Sequence, residues 1–182
     1  MKRKSFSEAL CPIARGLDRV GEWWSILILR DAFYGITRFD EFQQSLDIAP
    51  NMLTRRLRML VDAGLLERRR YNERPPRYEY VLTERGRDFR PVLVALMVWG
   101  NRHFADEGIA MYLEDTRSGA PVDPVLVDRV SGEPIGPHHV MQAGPAANER
   151  IRARVARLRE PRNDTGGDSH APAVQASRGG RR

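Results

Sequence analysis

The sequence predicts a mainly α fold carrying one small β wing, and three features predict it. Apolar residues recur at helical spacing in four successive segments between residues 12 and 62. Two β-leaning runs, LLERRRY and RYEYVLT, then flank the turn-forming cluster NERPP at residues 72–76. A long helical stripe follows, up to about residue 104.

Each element has local support. In 12–20, Pro12 suits a first helical turn, Ile13, Leu17 and Val20 keep helical spacing, and Gly21 can end the helix. Residues 23–34 are apolar nearly all round, as in a buried helix, with Gly35 as the stop. In 38–46, Phe39, Phe42 and Leu46 form one face, with Thr37 as candidate cap. Pro50 opens a helix to about residue 62, striped by Leu53, Leu57, Leu60 and Val61 and closed by Gly64. In the second β run, Tyr78, Tyr80 and Leu82 alternate on one face. Thr83 then caps a single helix of residues 84–104, which Pro91 bends slightly. A short helix, a tight turn, a second helix and a hairpin make a winged helix-turn-helix.

Beyond residue 105 the pattern weakens. Residues 106–145 form an acidic extension whose Val, Pro, Gly and Asp suggest a small β-hairpin unit; no internal repeat is apparent. Residues 146–160 read as a basic amphipathic helix ended by Pro161, and 161–182 as a disordered tail. The resulting division is 1–105 for the winged helix-turn-helix, 106–145 for the extension, then helix and tail.

Charge follows the same blocks. Residues 1–105 hold 19 lysines and arginines against 13 acids, 106–149 hold 2 against 8, and 150–182 hold 9 against 3. A basic domain beside an acidic segment points toward polyanions. No apolar run approaches the roughly 20 residues of a membrane span. The basic start lacks a signal peptide's apolar stretch, and the single cysteine allows no intrachain disulfide. A cytoplasmic protein is expected.

The helix at 50–62 carries the chemistry. With its leucines inward, its opposite face shows Asn51, Arg55, Arg58 and Asp62, with Thr54 and Arg56 on the flanks. Arginine can pair bidentately with guanine and asparagine with adenine, and the helix N-terminus attracts phosphate. Residues 50–77 contain eight arginines and no lysine. Arg69, Arg74 and Arg77 lie on or beside the hairpin, where a wing-tip Arg74 suits the negative minor groove. The expected DNA-binding set is Asn51, Thr54, Arg55, Arg58, Arg69, Arg74 and Arg77. The long helix with Phe89, Leu93, Leu96, Met97, Trp99 and Phe104 offers more apolar surface than one small domain needs, which favours a homodimer reading two half-sites.

These residues resemble a family. The Cys11-Pro12 opening, the Trp-containing second helix, the L-x-x-R-L-x-x-L core, the Ala-Gly-Leu turn and the Tyr-x-Leu-Thr strand end occur together and in order over residues 11–104. The combination is similar to the HxlR family of bacterial regulators, relatives of the MarR family. The resemblance implies a dimeric transcription regulator, usually a repressor, dimerising through helices that map onto 12–20 and 84–104. The partners implied are a double-stranded DNA operator, a second copy and an unidentified small-molecule effector. The position before Pro50, often a capping residue in that family, is Ala49 here.

Cys11 precedes a helix N-terminus with Arg15 one turn on, which favours the reactive thiolate. Some members of that family sense oxidants at this place; an inert thiol is the other reading. Residues 116–145 resemble an extension in which Cys-Gly knuckles suggest a zinc ribbon. Here Ser118-Gly119, Asp128 and Ser131-Gly132 stand at those places, so a unit without metal is expected, with His138 and His139 in loops. No cofactor is expected, and no phosphate loop, metal cluster or activated nucleophile supports an enzyme. Two other readings fit the same residues: an interaction module that lost DNA reading, and a small-molecule-binding protein or enzyme.

Overall fold

The computed structural model describes residues 10–158 of the chain. They fall into two units that divide between Met141 and Gln142. The first unit opens with helices α1 (Pro12–Val20), α2 (Trp23–Phe33), α3 (Phe39–Leu46) and α4 (Pro50–Asp62). Strands β1 (Leu66–Asn72) and β2 (Arg77–Leu82) follow as an antiparallel hairpin, then helices α5 (Glu84–Arg87) and α6 (Arg90–His103). A second small hairpin pairs β3 (Leu113–Asp115) with β4 (Ala120–Val122). This is a mainly helical winged helix-turn-helix with its wing at β1–β2. No helix among the described residues is long and apolar enough to cross a membrane.

One core holds the helices together. Ile28 and Leu29 of α2, Phe42 of α3, and Leu53, Leu57 and Leu60 of α4 are fully buried. Leu66 at the start of β1 closes this cluster, and Tyr80, Leu82 and Phe89 pack against it. The uniformly apolar α2 is not wholly buried: Trp23 is 72% exposed and meets Trp24 edge to face. A helix on the rim of a small domain has one face with nothing above it, whatever its composition. On its inner face the buried Asp31 carboxylate accepts the Ser45 hydroxyl at 2.7 Å and the Arg30 guanidinium.

Three local expectations are corrected. The cap position of α3 is Arg38, not Thr37, and Glu41 Oε2 accepts the Arg38 amide at 3.1 Å. Thr37 instead accepts the Tyr80 amide at 2.7 Å through its carbonyl, and Arg38 bridges Glu79, so β2 has a neighbour on its outer edge. The helix expected over 84–104 is two helices. Pro91 has no amide to bond back, so the chain turns at Asp88–Phe89 and α6 starts afresh. The extension also contains a repeat that the sequence reading missed. Asp115 and Asp128 head turns of one design, Asp-x-x-Ser-Gly. In each the carboxylate accepts the amide two residues on, the carbonyl accepts the glycine amide at 2.7 Å, and the serine hydroxyl accepts a later amide. The Arg117 guanidinium and then its amide hold the Asp115 carboxyl below its ordinary range, and the Val130 amide with the Ser131 hydroxyl and amide do the same for Asp128.

Thr83 joins the wing to α5. Its hydroxyl donates to the Gly64 carbonyl at 2.7 Å and accepts the Gly86 amide at 3.0 Å. Gly86 is buried here, and a Cβ on it would fall on the Leu65 carbonyl oxygen and lie 3.1 Å from a Leu82 methyl. Gly86→Ala is therefore expected to destabilise the domain by about 1–3 kcal/mol, the range for overpacking. Thermal unfolding checks this, and an unchanged Tm would contradict the assigned contact.

In the second unit, α7 (Glu149–Ala156) starts at the Asn148 cap, whose side-chain oxygen accepts the Ile151 amide at 3.0 Å. It is shorter at its start than the expected 146–160 because the cap fixes that end. The expected tail at 161–182 lies outside the described residues.

Candidate nucleic-acid interface

The exposed face of α4 is built by its buried one. With Leu53, Leu57 and Leu60 in the core, Asn51, Thr54, Arg55 and Arg58 all stand in solvent on a helix of Pro50–Asp62. Ala49 offers no side-chain cap, as expected. Asn51 supplies a substitute: its Oδ1 accepts the Met52 amide at 2.7 Å, which leaves its NH2 group as an outward donor. Thr54 donates to the Pro50 carbonyl at 2.8 Å. Arg58 lies 3.9 Å from the exposed Asp62, a loose pair of little energetic weight. Arg55 has no carboxylate partner among the described residues.

Arg56 departs from its expected place. The helical wheel puts it about 70° from the centre of the leucine stripe, on a flank. In the structure it is only 5% exposed, and its guanidinium lies 3.0 Å from Glu22, the residue that precedes α2. Burial there is set by the neighbouring helices, which a wheel drawn for one helix does not include.

The wing presents its arginines unequally. Arg69 lies 2.9 Å from Glu67 and opposite Glu79 in the β1–β2 register. That pairing lowers the Glu67 carboxyl from its ordinary range and raises the Arg69 guanidinium. Arg70 folds back onto the turn through the Glu73 carbonyl and carboxylate. Arg68 stacks over the Tyr78 ring at 3.5 Å, and Arg38 over Tyr71 at 5.0 Å. Arg74 and Arg77 are exposed at the tip and have no carboxylate partner among the described residues. The sequence pattern does not place Arg38 beside Tyr71, because that aromatic neighbour comes from the wing, far along the chain.

Away from this face, Cys11 is half-buried at the cap of α1 and accepts the Arg15 amide through its carbonyl at 3.0 Å. Between α6 and the extension lies an open cavity of about 650 Å³, lined by Met97, Val98, Tyr112 and Leu113 with Asn101 and Arg102 at its edge. No group of three or more His, Cys, Asp or Glu among the described residues could hold a metal ion.

Comparison with known proteins agrees with this geometry. Residues 19–107 match the HxlR-like helix-turn-helix family. An uncharacterized HTH-type transcriptional regulator of Mycobacterium tuberculosis is 40% identical over 141 residues, covering 76% of this chain and 89% of the relative. A solved structure of a candidate transcription factor from Pseudomonas aeruginosa is 57% identical, with TM-score 0.58, over 79% of this chain and 99% of the other. A second candidate transcription factor shares 43% identity and TM-score 0.67 over 74% of this chain and 95% of the other. The family is one of transcription regulators, not of enzymes. A helix-turn-helix with an arginine-bearing wing and this likeness to a relative over 76% of the chain have one meaning: the chain belongs to the HxlR-like helix-turn-helix family of DNA-binding transcription regulators.

Proposed function

We propose that the chain is a homodimeric repressor that lays α4 in the major groove of its operator and the β1–β2 wing at the minor groove. The observation that carries this reading is the coincidence of Asn51, Thr54, Arg55 and Arg58 on one exposed face with Arg74 and Arg77 at the tip of the adjoining hairpin. In it, Arg55 and Asn51 read base edges, while Arg58, Arg74 and Arg77 hold phosphates and set the register. Arg69 reaches a phosphate only by exchanging Glu67 for it. Residues 1–105 do the binding and pairing, and 106–145 form an acidic β-bearing extension that follows α6.

The homodimer is supported by α6, which buries none of its residues in the single chain. Leu96 and Trp99 are exposed on it, Phe104 at its end is 66% exposed, and Ile13 and Leu17 of α1 also face solvent. Apolar surface on this scale is ordinarily covered by a partner. Repression follows from occupancy, since a dimer on two half-sites obstructs polymerase. A small-molecule effector fits best in the cavity beside α6; its mark is thermal stabilisation together with release of DNA.

The test is selection of duplexes from a randomised library, then titration of the enriched and a scrambled duplex across a salt series. Preference for the enriched duplex, with affinity falling steeply as salt rises, is the expected result. Equal weak binding to both, insensitive to salt, would move the assignment to a protein-interaction module.

A further inference from the structure

We infer that Arg56 is a positioning residue, and that its ion pair with Glu22 sets the rotation of α4 about its own axis and ties it to the α1–α2 junction. The inference rests on the DNA-reading role proposed for α4. A stripe of leucines holds a helix against a core but tolerates small rotations, because apolar contact has no direction. A buried guanidinium has direction: Arg56 is 5% exposed, and its Nη2 lies 3.0 Å from Glu22 Oε2. Its other terminal nitrogen lies 3.5 Å from the Met59 sulfur, within α4 itself. Turning α4 by a fraction of a residue would separate that pair inside the domain, where water replaces it poorly. Arg55 and Arg56 are adjacent, so fixing one fixes the direction in which the other leaves the helix.

The other end of the pair gives this constraint a destination. Glu22 is the cap residue of α2, one residue after the Gly21 that closes α1. Trp23 comes next and is 72% exposed, as Ile13 and Leu17 of α1, which the proposed dimer covers, are also exposed. A change of packing at that surface moves Glu22, and through Arg56 it turns the reading face of α4. The pair thus adds a link between subunit contact and base recognition that the outward residues of α4 do not contain.

The experiment uses the full chain with Arg56→Met, Arg56→Lys, Glu22→Gln and the combination of the last two. The probes are the duplex enriched by the wild type and its scrambled counterpart. Methionine fills the volume without charge, and replacing a buried pair by an apolar side chain is often tolerated by the fold. Arg56→Met is expected to unfold cooperatively and bind the scrambled duplex as the wild type does. It should lose about tenfold or more of the preference for the enriched duplex, as when one bidentate base contact is lost. Arg56→Lys should recover part of that preference while Glu22 is present, and none when it is combined with Glu22→Gln. A folded Arg56→Met with full preference would overturn the inference. Should methionine prevent folding, Glu22→Gln decides, since Glu22 is partly exposed: undiminished preference there overturns it too. A wild type that enriches no sequence defeats the DNA-reading proposal itself, and this inference with it.

Discussion

Leu96→Asp combined with Trp99→Asp is expected to convert the proposed dimer into a folded monomer that has lost nearly all affinity for the proposed operator. Both side chains are exposed on α6, and Trp99 packs edge to face on Phe104 at the end of the same helix. In a monomer the new carboxylates therefore remain in water, and the packing lost is that ring contact at the end of α6, away from the buried core. In the dimer they would be desolvated without partners, a cost of several kcal/mol for each ion. The second effect is on DNA. A dimer binds its second half-site intramolecularly, which raises affinity by about 10²–10⁴-fold over one half-site. Sedimentation gives the mass and thermal unfolding the fold. A doubly substituted chain that still sediments as a dimer would place the interface elsewhere.

Arg55→Ala is expected to act on specificity more than on affinity. Arg55 is exposed, has no carboxylate partner among the described residues, and shares a face with Asn51 and Arg58. Loss of one base-reading arginine costs about 1–3 kcal/mol at its position and relaxes discrimination there. Binding to a scrambled duplex should change little. Arg74→Ala is the contrasting case: a phosphate contact at the wing weakens enriched and scrambled duplexes alike and lowers the salt dependence by about one unit. If Arg55→Ala weakens both duplexes equally, Arg55 is a phosphate contact, and reading passes to Asn51 and Thr54.

The sequence made the elements legible and their surroundings less so. Boundaries of α1 and α4 follow from Pro12, Gly21, Pro50 and Gly64, residues whose backbone preferences act locally. The outward face of α4 was legible for the same reason, since it is what the leucines leave over. Other features depend on a second element that the sequence does not place. Arg56 looks like a flank residue until Glu22 and the end of α1 close over it. Arg69 looks like an unpartnered cation until β1 sets Glu67 beside it and β2 sets Glu79 opposite. Trp23 looks buried until no element covers it. The division between α5 and α6 was within reach, because Pro91 cannot donate the bond an unbroken helix needs.

Every fully buried apolar side chain among the described residues lies between Ile28 and Leu66. The reading unit therefore stands on its own core, and α6 contributes no keystone to it. In a genome that carries several paralogues of such a chain, this arrangement would insulate recognition from changes along α6, leaving the α1–α2 junction as the place where the proposed pairing reaches it. Substitutions along α6 can change which copies associate, and so keep sister regulators from mixing, while the DNA-reading unit stays intact.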